Sequence, residues 1–269
     1  MVVFPNCKIN LGLRILDKRA DGFHNLATIF YPIKLNDALE VIKFDKASTD
    51  IEFTSSGNIV DVDIANNICV KAYHLLKKDI PQLPSVKMHL HKSIPMGAGL
   101  GGGSADGAFA LQLLNTKFQL GLSPQQLSHY ALQLGSDCPF FILNKPCIAS
   151  GRGEVLQPID LNLSGKTIVV INPGIHINTG WAFGQLSGNQ KLANIDLDPS
   201  NSTTWKNDFE PVVFKEYPEI EKIKEHLYSS GAFYASMSGS GSTVFGLFSE
   251  NTPILPQFPA HYYLKTIQI

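Results

Sequence analysis

Pro95-Met96-Gly97-Ala98-Gly99-Leu100-Gly101-Gly102-Gly103-Ser104-Ala105-Asp106 decides the reading of this chain. Five of its twelve residues are glycine, and a helical pattern begins directly after it. Glycine has no Cβ, so its backbone adopts positive φ and lets a ligand come close. The helix that follows adds unpaired N–H groups and the positive end of its dipole. Loop and helix start together make an anion site suited to the phosphates of a nucleotide. The competing reading is a flexible Gly/Ser linker. The run is too short for that, and it lies between a strand pattern and an amphipathic helix. It is also not a P-loop, because no Lys follows the glycines. Gly97, Gly99 and Gly102 fit G-x-G-x-x-G. The stretch from Gln119 to Gln126 lacks the acidic residue that a dinucleotide fold places about twenty positions on. A third kind of phosphate loop is required.

The elements around the loop read as a mixture of strands and helices. Strand patterns cover Lys8 to Leu16, Ala38 to Phe44 and Ile51 to Thr54. Asn66 or Asn67 caps a helix carrying Ile68, Ala72, Leu75 and Leu76 on one face. Val86, Met88 and Leu90 alternate with Lys87, His89 and His91, a half-buried strand entering the loop. The helix after the loop runs from about Ser104 to Phe118. Ser123-Pro124-Gln125-Gln126 is a capping-box start for the next one, with Leu127, Tyr130, Ala131 and Leu134 inward. Gly135 is placed to end it in a left-handed conformation. An apolar strand is expected after Asp137. Thr167 to Ile171 reads as a strand and Glu219 to Ser230 as a helix. Ala232 to Phe248 reads as two strands around Ser238-Gly239-Ser240-Gly241-Ser242, and Tyr262 to Ile269 as a last strand. The segment Gly184 to Thr204 is expected to be a polar surface loop. Strict β-α alternation is missing, so the fold class is α+β.

Composition narrows the function. The chain has 269 residues, enough for two domains, with 44% hydrophobic and 17% charged. A boundary near Leu161 to Lys166 divides it into 1–162 and 163–269. The net charge of −1 and the absence of a basic stripe argue against nucleic acid as a partner. No apolar run approaches the roughly twenty residues needed to cross a membrane. The first residues lack the basic stretch and apolar core of a signal peptide. Cys7, Cys69, Cys138 and Cys147 are scattered, as expected of packed thiols in a cytoplasmic protein.

Three further segments carry chemistry. Lys8 and Asn10 share one face of a strand. Lys8 is either a cation stretched along a sheet surface or one built into a site. Asp137 follows a helix end, where the dipole disfavours an anion. It is either a turn residue bonding its own backbone or a carboxylate held for a hydroxyl. Met237 to Phe245 alternates Gly and Ser, either a plain hairpin or a backbone that must approach something closely. His89 and His91 share a strand face. Two such ligands do not make a metal site, and a solvated polar face is the expected reading.

In their order along the chain, these segments resemble the GHMP kinase superfamily. The branch most similar is the one acting on the cytidyl diphosphate of methylerythritol, in the non-mevalonate route to isoprenoids. The resemblance rests on Pro5 to Leu13, Arg19 to His24, Pro95 to Asp106, Gly135 to Phe141, Asn207-Asp208-Phe209-Glu210 and the turn after Met237. It implies two α+β domains, the first of them ATP-binding, with the active site in a cleft between them. It implies transfer of the γ-phosphate of ATP, with Mg²⁺ on the nucleotide, to a tertiary 2-hydroxyl. Pro95, Met96, Gly97, Ala98, Gly99, Leu100, Gly101, Gly102, Gly103 and Ser104 would hold ATP. Asp137 would be the catalytic carboxylate and Lys8 its cationic neighbour. Asn10 would hold the substrate. His24 would bond the cytosine edge, with Phe23 and either Phe183 or Trp181 on its faces. The family has Tyr where this chain has Phe23, so a ring face remains without a hydroxyl. It has Ser where this chain has Ala105, which leaves Ser104 as the hydroxyl there. Kinases of mevalonate or homoserine are the rivals within the superfamily, and a nucleotide-binding protein without turnover is the rival outside it. The partner is expected to be a small molecule, with the chain a monomer or weak homodimer.

Overall fold

The computed structural model describes residues 1–44, 49–58, 63–186, 197–249 and 253–269. In chain order its strands are β1 (Val2–Val3), β2 (Asn6–Lys18), β3 (His24–Asn36), β4 (Ala38–Lys43), β5 (Ile51–Gly57), β6 (Val86–Lys92), β7 (Cys147–Ser150), β8 (Val155–Pro158), β9 (Thr167–Asn172), β10 (Tyr234–Met237), β11 (Val244–Phe248) and β12 (Tyr263–Gln268). Its helices are α1 (Ile68–Asp79), α2 (Gly102–Phe118), α3 (Pro124–Leu134), α4 (Cys138–Leu143), α5 (Thr179–Gln185), α6 (Glu210–Glu216) and α7 (Pro218–Ser229). The chain forms two compact units that interleave in sequence. The first comprises Met1–Cys7, Leu35–Met96 and Gly101–Asn144; the second comprises Lys8–Lys34, Gly97–Leu100 and Lys145–Ile269.

The first unit is a sheet in the order β1-β4-β6-β5, with α1 and α2 packed on it and α3 and α4 packed against those helices. Only β5 and β6 run parallel in it. Asn67 caps α1 with its side chain, and the buried stripe runs through Cys69, Ala72, Tyr73 and Leu76. Leu75, expected inward, is only half-buried. The capping box of α3 is formed in full: Ser123 Oγ accepts from the Gln126 N–H, and the Gln126 side chain accepts from the Ser123 N–H. Replacing Ser123 with Ala is expected to lower the unfolding free energy by about 1 kcal/mol in a denaturant titration.

Two further local expectations fail in this unit. Gly135 ends α3 at φ 169°, an extended backbone and not a left-handed one. Cys138–Leu143 is a helix and not a strand. Its apolar run is too short to carry a period, and Pro139 sits in the first turn, where its missing N–H costs nothing.

The second unit holds two sheets, β2-β3-β7-β8 and β10-β11-β9-β12, the latter antiparallel throughout. The long strand β3 is not foreseen from the sequence, because Pro32 interrupts its pattern. Every residue of β9 is buried. Ile220, Ile223 and Leu227 of α7 pack into a core with Val169, Ile171 and Val244. Of the expected loop at Gly184 to Thr204, residues 187–196 lie outside the described residues, while Gly184 and Gln185 belong to α5 and Ser202–Thr204 form a turn of 3-10 helix. Among the described residues no helix is long and apolar enough to cross a membrane. The four cysteines are buried and none forms a disulfide.

Candidate active site

Strand β2 carries Lys8 and Asn10 into the second unit, where both are buried. The Lys8 ammonium donates to Asn10 Oδ1 at 2.6 Å and lies 4.8 Å from the Phe30 ring centre. It also reaches the Gly99 carbonyl at 3.5 Å, while the Lys8 main-chain N–H donates to Leu100 O at 3.0 Å. Lys8 is therefore a cation in a built environment and not one stretched along a sheet surface. Asn10 is held in turn: its Nδ2 donates to Thr28 Oγ1 at 2.9 Å, and Thr28 donates to Gly12 O at 2.5 Å.

The Gly/Ser turn completes this arrangement. Ser238 Oγ donates to the Gly99 carbonyl at 2.8 Å and accepts from the Asn10 N–H at 3.3 Å. Gly97, Gly99 and Gly101 all take positive φ, a backbone that glycine adopts readily and other residues do not. At Gly99 the requirement is absolute, since a Cβ there would lie 1.9 Å from Ser238 O. The motif Asn207 to Glu210 holds the same turn from behind. Asn207 Nδ2 donates to the carbonyls of Met237 and Gly239, at 2.7 and 2.9 Å. Glu210 Oε1 accepts from the Met237 N–H at 2.8 Å, and Asp208 Oδ2 accepts from the Ile15 N–H at 2.8 Å. Asn207 and Glu210 support the turn, and Asp208 ties the motif to β2. Ser238, read from the sequence only as part of the Gly/Ser turn, and Thr28, which the sequence reading does not single out, hold Asn10 in place.

A ring cluster lies elsewhere in the second unit. His24 stacks on Phe183 with centroids 4.7 Å apart and planes 12° apart. Phe209 meets Phe183 edge-on at 4.9 Å. Trp181 turns instead to Tyr217, so Phe183 is the ring that partners His24. Phe23 is 52% exposed, with the Arg152 guanidinium 4.9 Å from its ring centre.

In the first unit, Gly102, Gly103 and Ser104 form the opening turn of α2, two residues earlier than expected. Ser104 interacts with the Cys138 thiol, which burial pushes up to about 12. Asp137 stands at the position just before α4, in helical backbone and with no side-chain capping bond to that helix. It therefore both follows the end of α3, as expected from sequence, and precedes the positive end of a second helix. Pro95 and Met96 belong to this unit as well, and Met96 is exposed. His89 and His91 form a hydrogen-bonded chain with Thr54 and Ser56 on the sheet surface.

Residues 67–145 match the GHMP kinases N terminal domain and residues 188–263 match GHMP kinases C terminal. A protein of Bacteroides fragilis named 4-diphosphocytidyl-2-C-methyl-D-erythritol kinase is 49% identical over 99% of each chain. The chain belongs to the GHMP kinase family. A solved 4-(cytidine 5'-diphospho)-2C-methyl-D-erythritol kinase matches this GHMP kinase with a TM-score of 0.78 at 28% identity, over 100% of this chain and 99% of the other. The homoserine kinase of Cytophaga hutchinsonii matches at 0.66 with 13% identity, over 97% and 95%, which shows a shared fold alone. The GHMP kinase fold expected from the resemblance is thereby established, and with it a phosphotransferase that uses ATP.

Proposed function

We infer that this GHMP kinase transfers the γ-phosphate of ATP to the 2-hydroxyl of 4-diphosphocytidyl-2-C-methyl-D-erythritol, in the non-mevalonate route to isoprenoid precursors. The observation that carries the reading is the Gly99 carbonyl. A buried ammonium and a hydroxyl of the Gly/Ser turn both address it, and that ammonium also holds Asn10. The glycine loop, the cation and the amide are thus fixed on one another before any ligand arrives.

Phosphoryl transfer runs through a loose transition state, so positioning and charge stabilisation carry most of the rate. In this reading the main chain from Gly97 to Ser104 receives the ATP phosphates, with Pro95 and Met96 at its entrance. Lys8 faces the charge on the transferring group. Asp137 orients the acceptor hydroxyl and takes its proton late in the transfer. Asn10 holds the acceptor end of the substrate. His24 bonds the cytosine edge, while Phe23 and Phe183 offer ring faces. The pairing of His24 with Phe183 supports this assignment.

Among the described residues no three His, Cys, Asp or Glu side chains gather to hold a metal ion. Mg²⁺ is expected to come with the nucleotide, held through phosphate oxygens and water, where it would neutralise charge on the phosphates. The reading carries with it a cytoplasmic monomer or weak homodimer.

Replacing His24 with Ala is expected to raise the KM for the cytidyl substrate about tenfold, by removing a buried polar contact. The KM for ATP is expected to stay unchanged. An ADP-release assay with each substrate varied in turn measures both. An unaltered KM for the cytidyl alcohol refutes the cytosine pocket.

A further inference from the structure

Three ionisable side chains lie in the core of the first unit: Asp37 is 1% exposed, Lys92 4% and Asp106 2%. Each belongs to a different part of the chain. Asp37 joins β3 to β4, Lys92 ends β6, and Asp106 stands early in α2. The Lys92 ammonium donates to Asp37 Oδ2 in a short contact and to Asp106 Oδ2 at 2.7 Å. The other oxygen of Asp37 accepts from the main-chain N–H groups of Ser93 and Ile94, at 2.6 and 2.9 Å. Those two residues lead directly into Pro95.

The cluster therefore grips the chain where it enters the glycine loop and where it leaves. Gly102 makes the second grip close. A Cβ on it would lie 3.0 Å from Ile94 Cγ2 and 3.5 Å from Lys92 Nζ. Burying two carboxylates and one ammonium costs more than filling the same space with apolar side chains. Burial pushes the Asp106 carboxyl up to about 7; Lys92 opposes that rise and the Asp37 charge adds to it. Asp106 Oδ1 is buried without a hydrogen-bond partner, as suits a carboxyl that readily holds a proton.

We propose that Asp37, Lys92 and Asp106 are a hydrogen-bonded clamp around the Lys92 ammonium that sets the spacing between the two ends of the phosphate loop, and that Asp106 is a positioning residue for ATP. The clamp rests on the reading of that loop as the ATP cradle. It acts at the nucleotide and not at the acceptor alcohol, so it bears on one substrate and not on the other.

Asp106→Ala cuts the link to α2 and leaves Lys92 paired with Asp37, a balanced pair that the fold retains. This variant is expected to raise the KM for ATP and the Kd for ADP about tenfold, the worth of one buried charged contact. The KM for the cytidyl alcohol should stay within about twofold, a change too small to mark a lost contact. Asp106→Asn keeps an oxygen for Lys92 and mimics the protonated acid, so it should recover most of the affinity. Unchanged ATP affinity in a folded Asp106→Ala protein overturns the clamp. So does an equal rise in both KM values, or an Asn variant as defective as the Ala one. Should Asp106→Ala melt below the assay temperature, hydrogen exchange on the native enzyme decides. A non-hydrolysable ATP analogue is expected to slow exchange at Ser93 and Ile94 together with the first turns of α2, and no slowing at Ser93 and Ile94 overturns the proposal. Gly99→Ala separates this from the cradle itself: if that variant binds ATP normally, the cradle reading fails, whereas a defect there beside a silent Asp106→Ala removes only the clamp.

Discussion

Asp137→Asn is expected to fold, bind ATP with near-normal affinity and lose about a thousandfold or more in kcat. The change keeps the shape of the side chain and removes its ability to accept a proton. The fold is expected to tolerate it, because Asn has nearly the shape of Asp and the Asp137 side chain makes no capping bond to α4. What remains is the binding of two substrates without a group to orient and deprotonate the hydroxyl. Three measurements decide it: a thermal melt, the Kd for ATP by calorimetry and single-turnover phosphoryl transfer. Turnover within about tenfold of the native enzyme, a loss small for a general base, removes Asp137 from the chemistry.

Gly99→Ala is expected to be the most damaging single methyl in the second unit. The added Cβ would lie 1.9 Å from Ser238 O and 3.2 Å from Gly241 O, so it meets main chain and not a movable side chain. The residue is also at φ 78°, where an L side chain is strained. Strain and overpacking together are expected to cost about 2–4 kcal/mol in an equilibrium unfolding experiment. The loop must move to relieve the clash, which breaks the bonds from Lys8 and Ser238 to the Gly99 carbonyl. A rise in the KM for ATP of about tenfold or more accompanies it. Gly103→Ala is the control. It lies in α2 with nothing within 4 Å of its Cβ, so it is expected to be neutral or slightly stabilising. Equal stability of the two variants would mean that the close approach of Gly99 to Ser238 does not hold the loop.

Contacts made within a few residues are legible in the sequence. The capping box at Ser123, the buried stripe of α7 and the strands flanking the Gly/Ser turn stand where their local chemistry places them. The α+β class and the glycine loop are legible for the same reason. The short apolar run after Asp137 misleads, because six residues carry no period that tells a strand from a helix. Lys92 carries a signal of its own. It continues the series Val86, Met88 and Leu90, so period two puts it on the buried face of β6. Its two carboxylate partners lie 55 and 14 positions away, and no such pattern points to them.

The sequence alone determined which residue types are at hand: a glycine run that invites phosphates, a lysine and an amide two positions apart, an aspartate shortly ahead of a proline. Only the tertiary structure decided their partners. Lys8 meets Gly99 across 91 positions and Ser238 meets Gly99 across 139, separations that no local pattern encodes. The physical reason is that a buried polar group must find a hydrogen-bond partner wherever the packed chain brings one, and packing is a property of the whole fold.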